Sequence, residues 1–236
     1  MRLLRSAPRR LRLAAVLAPC LAACVPTGAA AQPAGDRPPV AELAGRLQAR
    51  YDAIRDFSAD FVHIYEGGLL RQKVTERGTV LIKKPGRMRW TYTSPEPKEF
   101  VSDGTRLYAY VPQDRQVIVS AMPAADDASS PVLFLAGKGR LARDFAVEYT
   151  DVPEAAAATL SLKLVPRQRQ AEYDWLILVV DRQSLAVRGL VTIDAQGGRS
   201  MFTFSNLKEN VGLTDARFLF TIPRGVDVVT DAGRGR

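Results

Sequence analysis

Residues 80–111 carry the clearest structural pattern in the chain: VLIKKPGRMRWTYTSPEPKEFVSDGTRLYAYV. Short apolar runs lie at 80–82, 88–92, 100–101 and 107–111, and turn-forming pairs separate them: Pro-Gly at 85–86, Ser-Pro at 94–95 and Asp-Gly at 103–104. Such runs and pairs are typical of β-strands joined by tight turns. Because Met88, Trp90 and Tyr92 are two residues apart, we expect their side chains to share one inward strand face. The stretch predicts an antiparallel meander.

The same pattern extends in both directions along the chain. Further strands are predicted at 57–63, 117–119, 145–149, 160–165, 173–180, 187–193, 200–206 and 218–220. An amphipathic helix is predicted over 40–55, where apolar residues recur every three or four positions: Val40, Leu43, Leu47, Tyr51 and Ile54. A second, short helix is predicted over 129–141, which has Pro131 near its start and glycines near its end. About eleven strands without strand–helix–strand alternation predict a mainly β fold, a strongly curved sheet or barrel with two helices over one side.

The N-terminal residues 1–31 have the order of an export signal: an arginine-rich start, an apolar run of about 12 residues and a small-residue end. Two cleavage sites compete. Ala29 to Ala31 before Gln32 suits ordinary signal peptidase, whereas residues 21–24, Leu-Ala-Ala-Cys, resemble a lipobox, whose cysteine would be lipidated. Residues 32–39 are then a flexible leader, 40–231 a single domain and 232–236 a tail. Both cysteines precede the domain, so no disulfide is expected in it.

The net charge of +8 lies largely in this signal segment, which carries five arginines and no acid. The remaining residues hold 28 basic and 25 acidic side chains, a net charge of +3. A nearly balanced exported domain makes nucleic acid an unsuitable partner. The apolar run is also too short to span a bilayer, which needs about 20 residues, and no later segment is longer.

Catalytic chemistry has little support in the sequence. The single histidine, His63, lies in a predicted strand, where a packed or surface role is more common than catalysis, and no thiolate or histidine cluster offers a metal site. We therefore predict no enzyme, no cofactor and no metal. Many inward-facing apolar residues favour either a carrier of a hydrophobic ligand or an exported binding module of another kind. A hydrolase acting on envelope material remains a third hypothesis, based only on export and an expected cleft.

The chain resembles the outer-membrane lipoprotein carrier family, LolA, over residues 40–231. The resemblance rests on LIKKPGRMRW at 81–90, VSDG at 101–104, FSADF at 57–61, Ser-Pro at 130–131 and DARF at 215–218, with Tyr92, Pro95, Tyr108, Phe220, Pro223 and Gly225 in matching places. It implies an incomplete antiparallel β-barrel in which the N-terminal and middle helices form a lid. It also implies residues for the acyl cavity and lid: Phe57, Phe61, Lys84, Met88, Trp90, Leu133, Phe134 and Leu135.

By this resemblance the protein would be a monomeric carrier in the periplasm of a Gram-negative bacterium. It would take acylated lipoproteins from the inner-membrane ABC transporter LolCDE and pass them to the outer-membrane receptor LolB. Two positions depart from the family pattern, since Lys84 replaces the usual arginine and Met88 the usual aromatic residue. An ammonium lacks the planar fork of arginine, so we expect a weaker or different latch on the lid. If Cys24 is lipidated, the alternative is a membrane-anchored acceptor or transfer protein of the same fold.

Overall fold

The computed structural model describes residues 37–67, 72–122, 135–137, 140–170, 173–194 and 196–230. Helix α1 is Val40–Ala53 and helix α2 is Leu141–Asp144. The strands are β1 Asp56–Glu66, β2 Lys73–Lys83, β3 Arg87–Ser94, β4 Lys98–Asp103, β5 Arg106–Val111, β6 Gln116–Ala121, β7 Phe145–Thr150, β8 Thr159–Pro166, β9 Trp175–Asp181, β10 Val187–Ile193, β11 Arg199–Glu209 and β12 Asp227–Thr230. A 3-10 helix, Asp215–Phe218, precedes β12.

The twelve strands form one sheet in the order β12-β6-β5-β4-β3-β2-β1-β11-β10-β9-β8-β7. Strands β1 to β6 make one antiparallel meander and β7 to β11 a second, and the two meet where β1 pairs with β11. Strands β7 and β12 lie at opposite edges and do not pair, so the sheet is unclosed. The predicted mainly β, incomplete-barrel architecture is confirmed.

The end of the chain differs from the prediction. The strand expected at 218–220 is wrong: Phe218 ends the 3-10 helix and is fully buried, while Leu219 is 64% exposed. A strand needs alternation sustained over several residues, and here a single aromatic side chain is buried after a turn of helix. The strand that the sequence did not indicate, β12, is exposed throughout and pairs parallel to β6. It shows no apolar alternation because it pairs through its backbone at an edge.

Alternation along the strands creates two faces. The face that contacts α1, called here the inner face, carries one continuous hydrophobic cluster to which α1 contributes Leu43, Leu47 and Tyr51. The helix ends at Ala53 rather than Arg55, and Ile54 is still buried. The α1 prediction therefore identified the packed face correctly.

The outer face has a separate, smaller cluster formed by Val152, Ile177, Val179 and Val191. It explains why β9 is buried on both sides, as its burial pattern shows. Over the other meander, the side chain of Arg89 donates to the carbonyls of Arg217 and Leu219 and fixes the 3-10 helix against β3.

Several predicted features lie outside the described residues: the signal segment with Cys24, most of the leader, the C-terminal tail and most of the predicted middle helix. Within that helix, Leu135 has helical backbone geometry. Among the described residues, no helix has the length and apolar character needed to cross a membrane.

Candidate functional site

A cluster of aromatic rings occupies the inner face. The ring of Phe61 on β1 lies 5.2 Å from that of Trp90 and 4.8 Å from that of Tyr92, both on β3, in edge-to-face contact. Phe202 on β11 lies 5.3 Å from Trp90, and Phe204 continues the cluster along the same strand. All five side chains are at most 9% exposed. The cluster gives the interior a large apolar surface built from both meanders.

Close packing inside this cluster depends on Gly78 of β2. A Cβ atom at this position would lie 2.1 Å from the carbonyl oxygen of Thr91 and 2.8 Å from the ring of Phe61. The missing side chain leaves the space that the Phe61 ring fills. A glycine inside a strand commonly marks such a close approach.

The structure brings most of the predicted site residues together. Phe57, Phe61, Met88, Trp90 and Leu135 are all buried in the inner cluster, and Lys84 lies half-buried at the turn between β2 and β3. Leu133 and Phe134 lie outside the described residues. The role of all eight residues in binding acyl chains remains a prediction.

One end of the interior, called here the helix end, is closed by residues 135–137, the closing segment. The hydroxyl of Tyr51 on α1 donates to the carbonyl oxygen of Leu135. The amide of Gly86, in the β2–β3 turn, donates to the carbonyl oxygen of Ala136 at 3.0 Å. The Leu135 side chain is fully buried below these bonds. Between the closing segment and the rest of the described chain, these two hydrogen bonds hold a segment whose Leu135 side chain is buried in the interior.

Lys84 supports this arrangement through Tyr51. Its ammonium donates to the Tyr51 carbonyl oxygen and lies 3.4 Å from the centre of the Tyr51 ring. Its methylene stem packs against Gly137, where a Cβ atom would lie 2.8 Å from the Lys84 Cδ atom. Burial lowers the pKa of Lys84 to about 8 and raises the pKa of Tyr51 well above its usual range. Lys84 therefore positions the tyrosine that bonds the closing segment.

A small cavity lies beneath the closing segment among the described residues. A cavity of about 10 Å³ is lined by Tyr51, Ile54, Phe57, Leu135, Val187, Phe204, Leu207 and Glu209. This volume is at the lower limit for a single water molecule.

The opposite end of the interior, called here the charged end, is closed by polar side chains of several strands. His63 Nδ1 lies 2.9 Å from the Glu76 carboxylate, and His63 Nε2 lies 2.7 Å from the Ser200 hydroxyl. Lys98 donates to Glu76 at 2.6 Å. The imidazole stacks on Phe202 with 4.1 Å between ring centres. Burial lowers the pKa of His63, partly opposed by the hydrogen bond with Glu76.

Sequence reasoning did not single out Tyr51, Gly137, Phe202 or Phe204 as parts of the site. The alternation in 200–206 indicates that Phe202 and Phe204 point inward, and the apolar face of α1 indicates the same for Tyr51. Neither pattern shows which residues these side chains contact. The packed role expected for His63 agrees with its position between β2 and β11.

Comparison with known proteins identifies the family. The family model described as outer membrane lipoprotein carrier protein LolA matches residues 52–221. This chain belongs to the LolA family. An outer-membrane lipoprotein carrier protein from Methylococcus capsulatus is 30% identical over 188 residues, covering 79% of this chain and 86% of the relative. One from Chromohalobacter salexigens is 30% identical over 192 residues, covering 80% and 88%.

Among solved structures, a LolA superfamily protein from Nitrosomonas europaea matches with a TM-score of 0.42 and 14% identity, covering 75% of this chain and 97% of that one. The predicted family is confirmed by the sequence matches. The family consists of non-catalytic periplasmic lipoprotein carriers of Gram-negative bacteria, so the predicted carrier function is confirmed at the level of the family.

Proposed function

We propose that the interior holds the acyl chains of lipoproteins while the protein carries them from the LolCDE transporter to the LolB receptor. The observation that carries this proposal is an apolar interior, built from both meanders, over which Leu135 of the closing segment packs at the helix end. Membership in a carrier family supports the same function.

The energies favour exchange of the closing segment for a ligand. Each methylene group moved from water into an apolar interior contributes roughly 0.8 kcal/mol. Each hydrogen bond lost by the segment costs roughly 1 kcal/mol, and burying Leu135 contributes roughly 1.5–3 kcal/mol. A chain of about ten methylene groups therefore provides more free energy than the segment loses. Release then requires an acceptor that binds the chain more tightly.

The proposed carrier works without catalysis or cofactor. His63 is the one histidine of the chain, and its ring nitrogens contact Glu76 and Ser200 within the wall of the interior. The proposed carrier function does not require the imidazole to act as a base, and these contacts support a structural role for it in the wall.

The test is release of a radiolabelled lipoprotein from inner-membrane vesicles containing LolCDE. The wild-type protein should recover the lipoprotein in a soluble complex, and Leu135→Glu should lose most of this activity because a carboxylate is costly in an apolar interior. The matched control is Leu219→Glu, whose leucine is 64% exposed and should be replaceable without effect. Equal release by the wild type and Leu135→Glu, with both folded, would refute the proposal.

The second candidate is a membrane-anchored acceptor of the same fold, favoured by Leu-Ala-Ala-Cys at 21–24. Mass spectrometry of the protein recovered from cells separates the two. A mature chain that starts at unmodified Gln32 excludes the anchor, and a chain that starts at a diacylglyceryl Cys24 establishes it.

A further inference from the structure

The indole nitrogen of Trp90 is a buried donor for which the described part of the chain offers no hydrogen-bond acceptor. The side chain is 3% exposed, so bulk solvent does not reach it. Among the described residues it is the one buried side-chain nitrogen or oxygen in this condition. Native proteins pair nearly all such groups, and an unpaired one requires an explanation.

The described neighbours of Trp90 show why none of them serves as an acceptor. The rings nearest to it belong to Phe61, Phe202 and Phe204, at 5.2, 5.3 and 6.2 Å between centres. Its cross-strand neighbours are Val80 and Phe100. None of these side chains has an oxygen or nitrogen atom, and the face of an aromatic ring is only a weak acceptor.

Trp90 is also close to the region that a ligand must enter. Phe204, which contacts Trp90, lines the small cavity beneath Leu135 and Tyr51. When the closing segment moves, the space that opens is therefore one ring away from the indole. A phenylalanine at position 90 would give an apolar wall without an unpaired donor, so the indole adds a polar group that no described side chain uses.

A bound acyl chain would bring the missing acceptor. Each acyl chain is covalently attached to its lipoprotein through an ester or amide carbonyl, whose oxygen accepts hydrogen bonds. Burying that oxygen without a donor costs free energy. The indole nitrogen can only donate and the ester carbonyl can only accept, so the two groups match.

We propose that the indole N–H of Trp90 donates a hydrogen bond to a carbonyl oxygen of the bound acyl group. This inference rests on the proposed carrier function and adds a selectivity to it. The interior recognises a chain as acyl, through its carbonyl, and discriminates against an alkyl ether chain of equal length.

The experiment compares two fluorescent peptides whose alkyl chains are equally long and differ only in how they are attached. One carries an S-glyceryl cysteine with two palmitoyl esters, and the other carries two hexadecyl ethers in their place. By fluorescence anisotropy, the wild-type protein should bind the ester peptide about tenfold more tightly, the effect of one buried hydrogen bond. Trp90→Phe should lose this preference and bind the ester peptide no more tightly than the ether peptide, because the carbonyl oxygen then has no donor.

The matched control is Trp175→Phe. Trp175 packs against the outer-face cluster, and its replacement should leave the ester preference intact. An ester preference that persists in Trp90→Phe would overturn the inference, and so would equal binding of both peptides by the wild type. Failure of the wild type to bind either peptide would instead refute the carrier function, and the inference with it.

A second measurement requires no substitution at position 90. The chain has two tryptophans, so a ¹⁵N-labelled sample has two indole N–H signals, which Trp175→Phe assigns. The Trp90 indole proton should move downfield with the ester peptide and not with the ether peptide. Identical shifts with both peptides would overturn the inference.

Discussion

The two ends of the interior are closed by different kinds of contact. At the helix end, the closing segment is held by the Tyr51 hydroxyl and the Gly86 amide. At the charged end, His63 bonds Glu76 and Ser200, and Glu76 also pairs with Lys98, so that four strands are joined. The first set of contacts can break without disturbing strand pairing, whereas the second set joins the strands of the sheet to one another.

This difference indicates where the interior opens. Hydrogen bonds between a short segment and a helix contribute about 1 kcal/mol each, which thermal fluctuations overcome often. A partly buried network that links strands is lost mainly when the sheet itself unfolds. We therefore predict that the interior opens at the helix end and stays closed at the charged end.

The largest expected effect is that of Glu76→Ala at the charged end. The change leaves His63 and Lys98 without their carboxylate, and Glu76 is only 13% exposed. Urea unfolding should show a loss of about 2 kcal/mol. The control, Glu148→Ala, removes a cross-strand partner of Lys163 that is 60% exposed, and it should cost less than about 0.5 kcal/mol. Equal losses would remove the distinction between the charged end and an ordinary surface pair.

The next effect is that of Gly137→Ala at the helix end. This residue has a φ of +84°, and an added Cβ would lie 2.8 Å from Lys84 Cδ. Hydrogen exchange of the Gly86 amide, which bonds the closing segment, should become roughly tenfold faster, since positive φ costs an L-residue about 1–2 kcal/mol. Gly197→Ala, at φ +76° with no atom within 4 Å, should leave that exchange rate unchanged. Unaltered exchange in Gly137→Ala would show that this contact does not hold the segment.

A smaller effect is expected for Tyr51→Phe, which removes the hydroxyl that bonds Leu135 and keeps the ring. Loss of about 1 kcal/mol of hydrogen-bond energy should speed Gly86 exchange about fivefold. Tyr149→Phe is the matched control because its hydroxyl also donates to a backbone carbonyl, that of Pro38, at 2.7 Å. If both variants change Gly86 exchange equally, the Tyr51 bond has no special role at the helix end.

The smallest effect concerns the pH dependence of stability through His63. Because burial lowers the pKa of His63 in the folded protein, the unfolded chain takes up the proton first as the pH falls through about 6.5. The stabilisation is complete above that pH and is lost towards the lower folded pKa. Between pH 7.5 and 5.5 the wild type should lose more unfolding free energy than His63→Gln. An equal or smaller loss in the wild type would contradict the buried, neutral imidazole.

Much of the fold follows from local pattern. Alternation in residues 80–111 gave the correct strands and turns, and the spacing along α1 identified its buried face, because both patterns report which side of an element is apolar. Alternation does not identify the partner strand. The pairing of Phe61 with Phe204 between β1 and β11, across more than 140 residues, was accordingly not predicted. β12 was missed because edge pairing through backbone groups leaves no side-chain pattern.

The sequence likewise predicted some parts of the candidate site and not others. Phe57, Phe61, Met88, Trp90 and Leu135 were placed in the interior from the sequence and its family resemblance, and they do lie there. The contact of Tyr51 with Leu135 joins residues 84 positions apart, and the position of Lys84 over the Tyr51 ring depends on that contact. Such bonds depend on how separate elements meet, which periodicity does not specify.

The sequence by itself determined the strand pattern and the family, because both are written in local residue order, and it predicts the export signal. Only the tertiary structure decided which contacts close each end of the interior and which described donor inside it lacks an acceptor. Those properties depend on distances between residues that are remote in the chain. The Tyr51 hydroxyl on α1 meets the carbonyl oxygen of Leu135, whereas the Trp90 indole on β3 has no acceptor among the described residues.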